Sequence, residues 1–168
     1  MKQKLKLALV GAGERGQYCY APYAKMHGYE IEFVAVADPH KGRREKFVQD
    51  YHVPAEGVFE TAEQFFARPR MADAVLICTQ DSQHYAYACQ AIDLGYSILL
   101  EKPISPSARE CLDLQRRAEE KGTQIMVCHV MRYTKFYRKL KELIDSGVIG
   151  DVVHVTHTET VSYTHLRA

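Results

Sequence analysis

Apolar residues along this chain follow two alternating rhythms. Leu5–Val10, Ile31–Ala37 and Ala74–Thr79 are short, largely apolar runs, as expected of strands buried on both faces. Shorter runs near Val58, at Ser97–Leu100 and at Gln124–Cys128 complete a set of six. Between them the spacing becomes helical, over Lys41–Tyr51, Thr61–Arg68, Ser82–Leu94 and Ser105–Lys121. In the third of these, Tyr85, Ala88, Cys89 and Ile92 form one stripe, and Gly95 stands where a C-terminal cap belongs. In the fourth, Ser105-Pro106 reads as an N-cap with proline in the first turn, and Ala108, Cys111, Leu114 and Ala118 face inward. Pro22 forbids one straight helix through "YCYAPYAKMHG", so a kink or restart is expected there.

Strand and helix in strict alternation imply parallel βαβ units with right-handed crossovers. Six strands make a complete doubly wound α/β sheet, assigned to a first domain at 1–130. After Cys128 the pattern changes. A helix over Thr134–Ser146 carries Phe136, Leu140, Leu143 and Ile144 on one face and ends at Gly147. "DVVHVTHTETVSY" then alternates as a long half-exposed strand. Residues 131–168 read as the truncated beginning of a second α/β domain, and the closing "THLRA" as a non-native ending.

The apolar share of 46% in 168 residues supports a sizeable core. A formal charge of +1 argues against a broad electrostatic grip on nucleic acid or an anionic membrane. The opening apolar run is too short for a signal peptide, and no later run approaches a membrane span. The five cysteines, Cys19, Cys78, Cys89, Cys111 and Cys128, show no CxxC spacing, which suggests reduced thiols in a cytoplasmic protein rather than zinc ligands. His154 and His157, three apart on the expected strand, would face opposite ways and make poor metal partners.

Candidate chemistry gathers where the strands end. Gly11-Ala12-Gly13-Glu14-Arg15-Gly16 is a full G-x-G-x-x-G between a strand and a helix, the setting in which such a loop cradles pyrophosphate. Asp38 closes the second strand, 22 residues past Gly16, where an acid can accept from both ribose hydroxyls and repel a 2′-phosphate. That favours NAD, with NADP as the alternative. Arg43 and Arg44 follow and read as a solvated helix face. Thr79, Gln80, Asp81 and His84 fall at the fourth main strand's end, the edge where ligands sit. Glu101 and Lys102 end "SILL", stopped by Pro103. There an ammonium group could stabilise alkoxide charge or relay a proton, with Glu101 fixing its side chain.

"GAGERG", "ADP", "CTQDSQH", "EKPIS" and "VMRYTKFYRKLKELIDSGVIGDVVHV", in this order, resemble the Gfo/Idh/MocA oxidoreductase family. The resemblance implies an N-terminal Rossmann domain and a C-terminal α/β domain whose open sheet mediates dimers or tetramers. It assigns Gly11, Gly13 and Gly16, with Glu14 and Arg15 between them, to the pyrophosphate and Asp38 to the ribose. Thr79–Asp81 would line the dinucleotide, Lys102 would be the lysine of the reaction centre beside Glu101, and Arg132 would stand on the nicotinamide side. The implied activity is NAD(P)-dependent oxidation of a sugar, inositol or related polyol, the particular substrate being unspecified. The alternatives are an NAD-dependent glycosidase of the same family and a non-catalytic dinucleotide-binding regulator. The family's proton-transfer histidine belongs to the second domain, and His165 is given no such role.

Overall fold

The computed structural model describes residues 3–158. Six strands, β1 Leu5–Val10, β2 Ile31–Ala37, β3 Val58–Phe59, β4 Ala74–Ile77, β5 Ser97–Leu100 and β6 Ile125–Val127, form one parallel sheet in the order β3-β2-β1-β4-β5-β6. The chain leaves β1 toward β2 on one side and later toward β4 on the other. This reversal opens a crevice beyond the carboxyl ends of β1 and β4.

The continuous apolar runs are explained by two cores, one on each face of the sheet. Ala8, Val10, Val75, Ile77, Ile98 and Leu100 pack with Phe65, Ile92 and Tyr96 on one face. Leu7, Leu9, Phe33, Val36 and Leu76 pack with Phe47 on the other. Successive residues of a strand point to opposite faces, so both sets must be apolar.

The helices are α1 Pro22–Met26, α2 Lys41–Tyr51, α3 Ala62–Phe66, α4 His84–Asp93, α5 Ala108–Lys121 and α6 Lys135–Asp145. The restart at Pro22 takes a particular form: Glu14–Tyr20 is a π-helical turn, and α1 begins at the proline, whose missing N–H costs nothing in a first turn.

The stripe expected along α4 is rotated. His84, Tyr87, Ala88, Ala91 and Ile92 are its buried side chains, because α4 meets two surfaces. The sheet side takes these residues, and Tyr87 also stacks on Phe66 of α3 at 5.7 Å. Tyr85 and Cys89 are half-buried, and Tyr85 donates to Asp113 of α5 at 2.7 Å.

The cap of α5 is Ser107, not Ser105: its hydroxyl accepts from the Glu110 N–H at 3.4 Å. Ser105 builds the preceding turn by accepting from the Ser107 N–H at 2.9 Å and donating to the Glu110 carboxylate. Helical winding therefore starts at Ala108, which is exposed, and only Leu114 and Ala118 of the expected inward set are fully buried.

The chain divides into two compact units, one up to Cys128 and one from His129 onward. In the second, Thr134 caps α6, and Phe136, Leu140, Leu143 and Ile144 are all exposed. Residues 151–158 form no strand, contrary to their alternation. A period of two specifies which residues share a face but needs a neighbouring ladder to become a strand, and none is present there among the described residues. His157 lies 2.9 Å from the Tyr137 hydroxyl, and His154 lies 3.0 Å from the Thr156 hydroxyl. His165 and "THLRA" lie outside the described residues. Among those described, no helix is long and apolar enough to cross a membrane.

Candidate functional site

The carboxyl edge of the sheet is stitched together by backbone bonds just beyond the strands. Gly11 N–H donates to Ala37 O, Cys78 N–H to Val10 O, Glu101 N–H to Ile77 O and Cys128 N–H to Leu100 O, all at 2.8–2.9 Å. The turns after β1, β4, β5 and β6 start from this row, while the turn after β2 starts with the Asp38 N–H on Phe59 O at 3.3 Å.

The three glycines of the first turn answer to different demands. Gly11 has φ +95°, and a Cβ there would sit 2.5 Å from the Cys78 carbonyl oxygen. A Cβ on Gly16 would sit 2.3 Å from the Gly11 carbonyl oxygen. Both are fixed by the fold itself. Gly13 is different: an added Cβ would meet nothing nearer than Arg43 Nη1 at 3.9 Å. No packing demands glycine at this position, and the space over it is open. Glu14 and Arg15 are exposed beside it, and the turn winds on with an Ala21 N–H bond to Gly16 O at 3.0 Å.

Asp38 is buried at 3% exposure, and its carboxylate organises this turn. Oδ2 accepts from the Ala12 N–H at 2.7 Å, and Oδ1 accepts from the His40 N–H at 2.8 Å. Each oxygen retains a second lone pair. Arg44 is not solvated as its sequence neighbourhood suggests. It is buried, with Nη1 donating to the Asp38 carbonyl at 2.6 Å and Nη2 to Glu60 at 3.2 Å. Arg43 is exposed, and with Gly13, Gln17, His40 and Lys46 it lines a cavity of about 280 Å³ beside the glycine turn.

At the end of β4, Gln80 and Asp81 are exposed, while Thr79 is half-buried with its hydroxyl unpartnered. Gln80 and Gln83 cap one another reciprocally and start the helix. His84 departs from its expected place on the cleft surface. It is fully buried, with Nδ1 2.6 Å from Pro103 O and Nε2 3.2 Å from Thr79 O. Both partners are carbonyls, and the shorter contact assigns the ring proton to Nδ1. His84, the first residue of α4, thus binds that helix to the turn after β5 through Pro103 O.

Lys102 is exposed, and Glu101 does not pair with its ammonium group. The Glu101 carboxylate, 5% exposed, accepts the Lys102 backbone N–H on Oε2 at 2.9 Å and the Tyr20 hydroxyl on Oε1. Burial, then the nearby Cys128 thiol and the bond to Glu101, push the Tyr20 phenol well above the ordinary tyrosine range, so it remains a donor. Burial likewise pushes the Cys78 and Cys128 thiols up, which removes them as nucleophiles at neutral pH. Tyr20 was not legible in the sequence: nothing there distinguishes it from Tyr18 or Tyr23, and a π-helical turn leaves no periodic signature. Arg132 belongs to the second unit, in a turn over Val130–Tyr133. Among the described residues no cluster of His, Cys, Asp or Glu could hold a metal.

A family model described as an oxidoreductase family with an NAD-binding Rossmann fold matches residues 5–129. The chain is 32% identical over 157 residues to an inositol 2-dehydrogenase of Pseudomonas savastanoi pv. phaseolicola, covering 91% of this chain and 46% of that protein. It is 27% identical to the scyllo-inositol 2-dehydrogenase (NADP(+)) IolW of Bacillus subtilis, covering 97% and 42%. Among solved structures, the WlbA dehydrogenase of Bordetella pertussis, in complex with NADH and UDP-GlcNAcA, superposes with a TM-score of 0.78 at 20% identity, covering 88% of this chain and 44% of that one. The chain spans a little under half the length of the curated relatives it matches.

Proposed function

From the premise that this chain belongs to the Gfo/Idh/MocA oxidoreductase family, with its NAD-binding Rossmann fold, we propose that it is the cofactor-binding part of a dehydrogenase acting on a sugar, inositol or related polyol. The observation that carries this reading is Gly13, a glycine with open space over it inside a loop whose other two glycines the fold requires. A pyrophosphate fits where a side chain is missing.

In this reading Gly11, Gly13 and Gly16 shape the cradle, and Glu14 and Arg15 flank it. Asp38 holds the loop through Ala12 and offers its remaining lone pairs to the ribose. Thr79, Gln80 and Asp81 line the next stretch of the edge. A bound nicotinamide would supply the hydride acceptor for a carbinol carbon. Lys102 then meets the oxygen of that carbon, stabilising alkoxide charge or passing on its proton. Its solvent-exposed ammonium supports this role, because it is not committed to Glu101. By family resemblance alone we read Arg132 as the arginine of the nicotinamide side. NAD is the favoured cofactor because a carboxylate at position 38 disfavours a 2′-phosphate. Five free cysteines support a cytoplasmic setting, and the family resemblance implies a homo-oligomer.

The test is NADH formation by the full gene product over a panel of sugars and inositols. Turnover of at least one polyol, reduced on the order of 10²–10⁴-fold by Lys102→Ala, is the expected result. NAD binding without net redox change on any of them would instead favour a glycosidase or a regulator.

A further inference from the structure

We infer that Tyr20 is a positioning residue for Lys102, acting through the Glu101 carboxylate. The inference rests on the reading of Lys102 as the lysine of the reaction centre. The Lys102 side chain is exposed and has no partner among the described residues, so its backbone must aim it. That backbone is held at two points.

After the lysine, the Pro103 carbonyl is pinned by His84 Nδ1 at 2.6 Å. Before it, the Lys102 N–H is held by Glu101 Oε2 at 2.9 Å. This second hold is only as firm as the Glu101 carboxylate, which is itself buried and pairs with no cation among the described residues. Its other oxygen is anchored by the Tyr20 hydroxyl. A buried carboxylate oxygen that loses its donor is poorly satisfied and will reorient toward another. The Lys102 N–H is the bond then sacrificed, and the lysine's starting point shifts with it.

Tyr20 also ends the seven-residue π-helical turn that begins directly after Gly13. One short element therefore borders both the proposed pyrophosphate cradle and the tether of the lysine. The Tyr20 phenol suits this task, since burial and its hydrogen bonds keep it protonated far into the alkaline range.

The test uses the full gene product, with Tyr20→Phe, Glu101→Gln and Lys102→Ala, and a polyol that the wild type oxidises. Tyr20→Phe keeps the ring and removes only the hydroxyl. The expected result is about a tenfold or greater loss of hydrogen-exchange protection at the Lys102 amide and a similar fall in kcat. NAD affinity and protection at Val36 and Ile98 stay at wild-type values, which a general loosening of the fold would not leave intact. Glu101→Gln can still accept the Lys102 N–H on its amide oxygen and donate its NH2 to the Tyr20 hydroxyl oxygen, so it should retain the Lys102 protection that Tyr20→Phe loses. Wild-type Lys102 protection and kcat in Tyr20→Phe, with Lys102→Ala inactive, overturn the role of Tyr20 alone. Wild-type kcat in Lys102→Ala overturns the reading of the lysine, and the inference with it.

Discussion

Gly13 and Gly16 share a side chain, or the lack of one, for opposite reasons. A Cβ on Gly16 would collide with the Gly11 carbonyl oxygen, whereas one on Gly13 would stand in the open. Gly16→Ala should therefore cost about 1–3 kcal/mol of stability, as overpacking against backbone does. Gly13→Val should melt like the wild type and lose NAD binding in calorimetric titration. A Gly13→Val protein with unchanged affinity would remove the ligand-based reason for this glycine. Asp38 holds the loop through two amides and is proposed to hold the ribose, and a substitution separates the two. Asp38→Ser should narrow the ratio of NAD to NADP affinity. It should also cost about 1–3 kcal/mol, because the short hydroxyl leaves the Ala12 or His40 amide without its partner. Competitive titration with the two cofactors and thermal melts measure the two effects independently. A wild type that already prefers NADP would instead assign the cavity lined by Arg43 and Lys46 to the extra phosphate.

At the scale of elements, the strands and long helices were legible because burial on both faces of a parallel sheet writes itself into sequence. β2 and α2 match their expected limits to the residue. What escaped reading depends on which neighbour an element meets. The face of α4 turned because it serves both the sheet and α5, and the cap of α5 moved because two serines compete for the same turn. Ser107→Ala should lower stability by about 1 kcal/mol. In the same way, His84 and Arg44 look like surface polar residues until the chain folds carbonyl oxygens around them. The buried aromatics of these elements also set an alkaline limit. Burial, and then the bond to Glu63, push the Tyr87 phenol up from 10.0 to about 12. The folded state holds this proton more tightly than the unfolded chain does. Its contribution is therefore complete below pH 10 and drains away as pH rises toward 12. Tyr85, bonded to Asp113, acts in the same direction. Asp113 works oppositely: bonds from Arg116, Tyr85 and Arg117 hold its carboxyl low, so its support is lost as pH falls below the ordinary value of 3.8. Tyr87→Phe should flatten the alkaline limb of a plot of melting temperature against pH and leave the acid limb as it was. An unchanged alkaline limb would mean that Tyr87 is not the group titrating.

For the whole molecule, the division after Cys128 separates two kinds of surface. Every residue proposed to hold the cofactor, except Arg132, lies in the first unit, beyond the ends of strands that share one sheet. The second unit carries α6, whose Phe136 is 70% exposed on the same face as Leu140, Leu143 and Ile144, followed by Val153 at 93%. Contiguous apolar surface of this kind drives association, and a formal charge of +1 gives little repulsion to oppose it. The helical period made this face readable in the sequence, but the period of two after it was not enough to make a strand. A chain ending at Cys128 should therefore keep the NAD affinity of the 168-residue chain and run as a smaller species in size-exclusion chromatography. The 168-residue chain itself should self-associate, and Leu140→Glu with Leu143→Glu should reverse that without touching NAD binding. Loss of NAD affinity on removing the second unit, recovered by no substitution on α6 and mimicked by Arg132→Ala, would place Arg132 among the residues that bind the cofactor. Unaltered affinity would confine binding to the sheet edge that starts at Gly11.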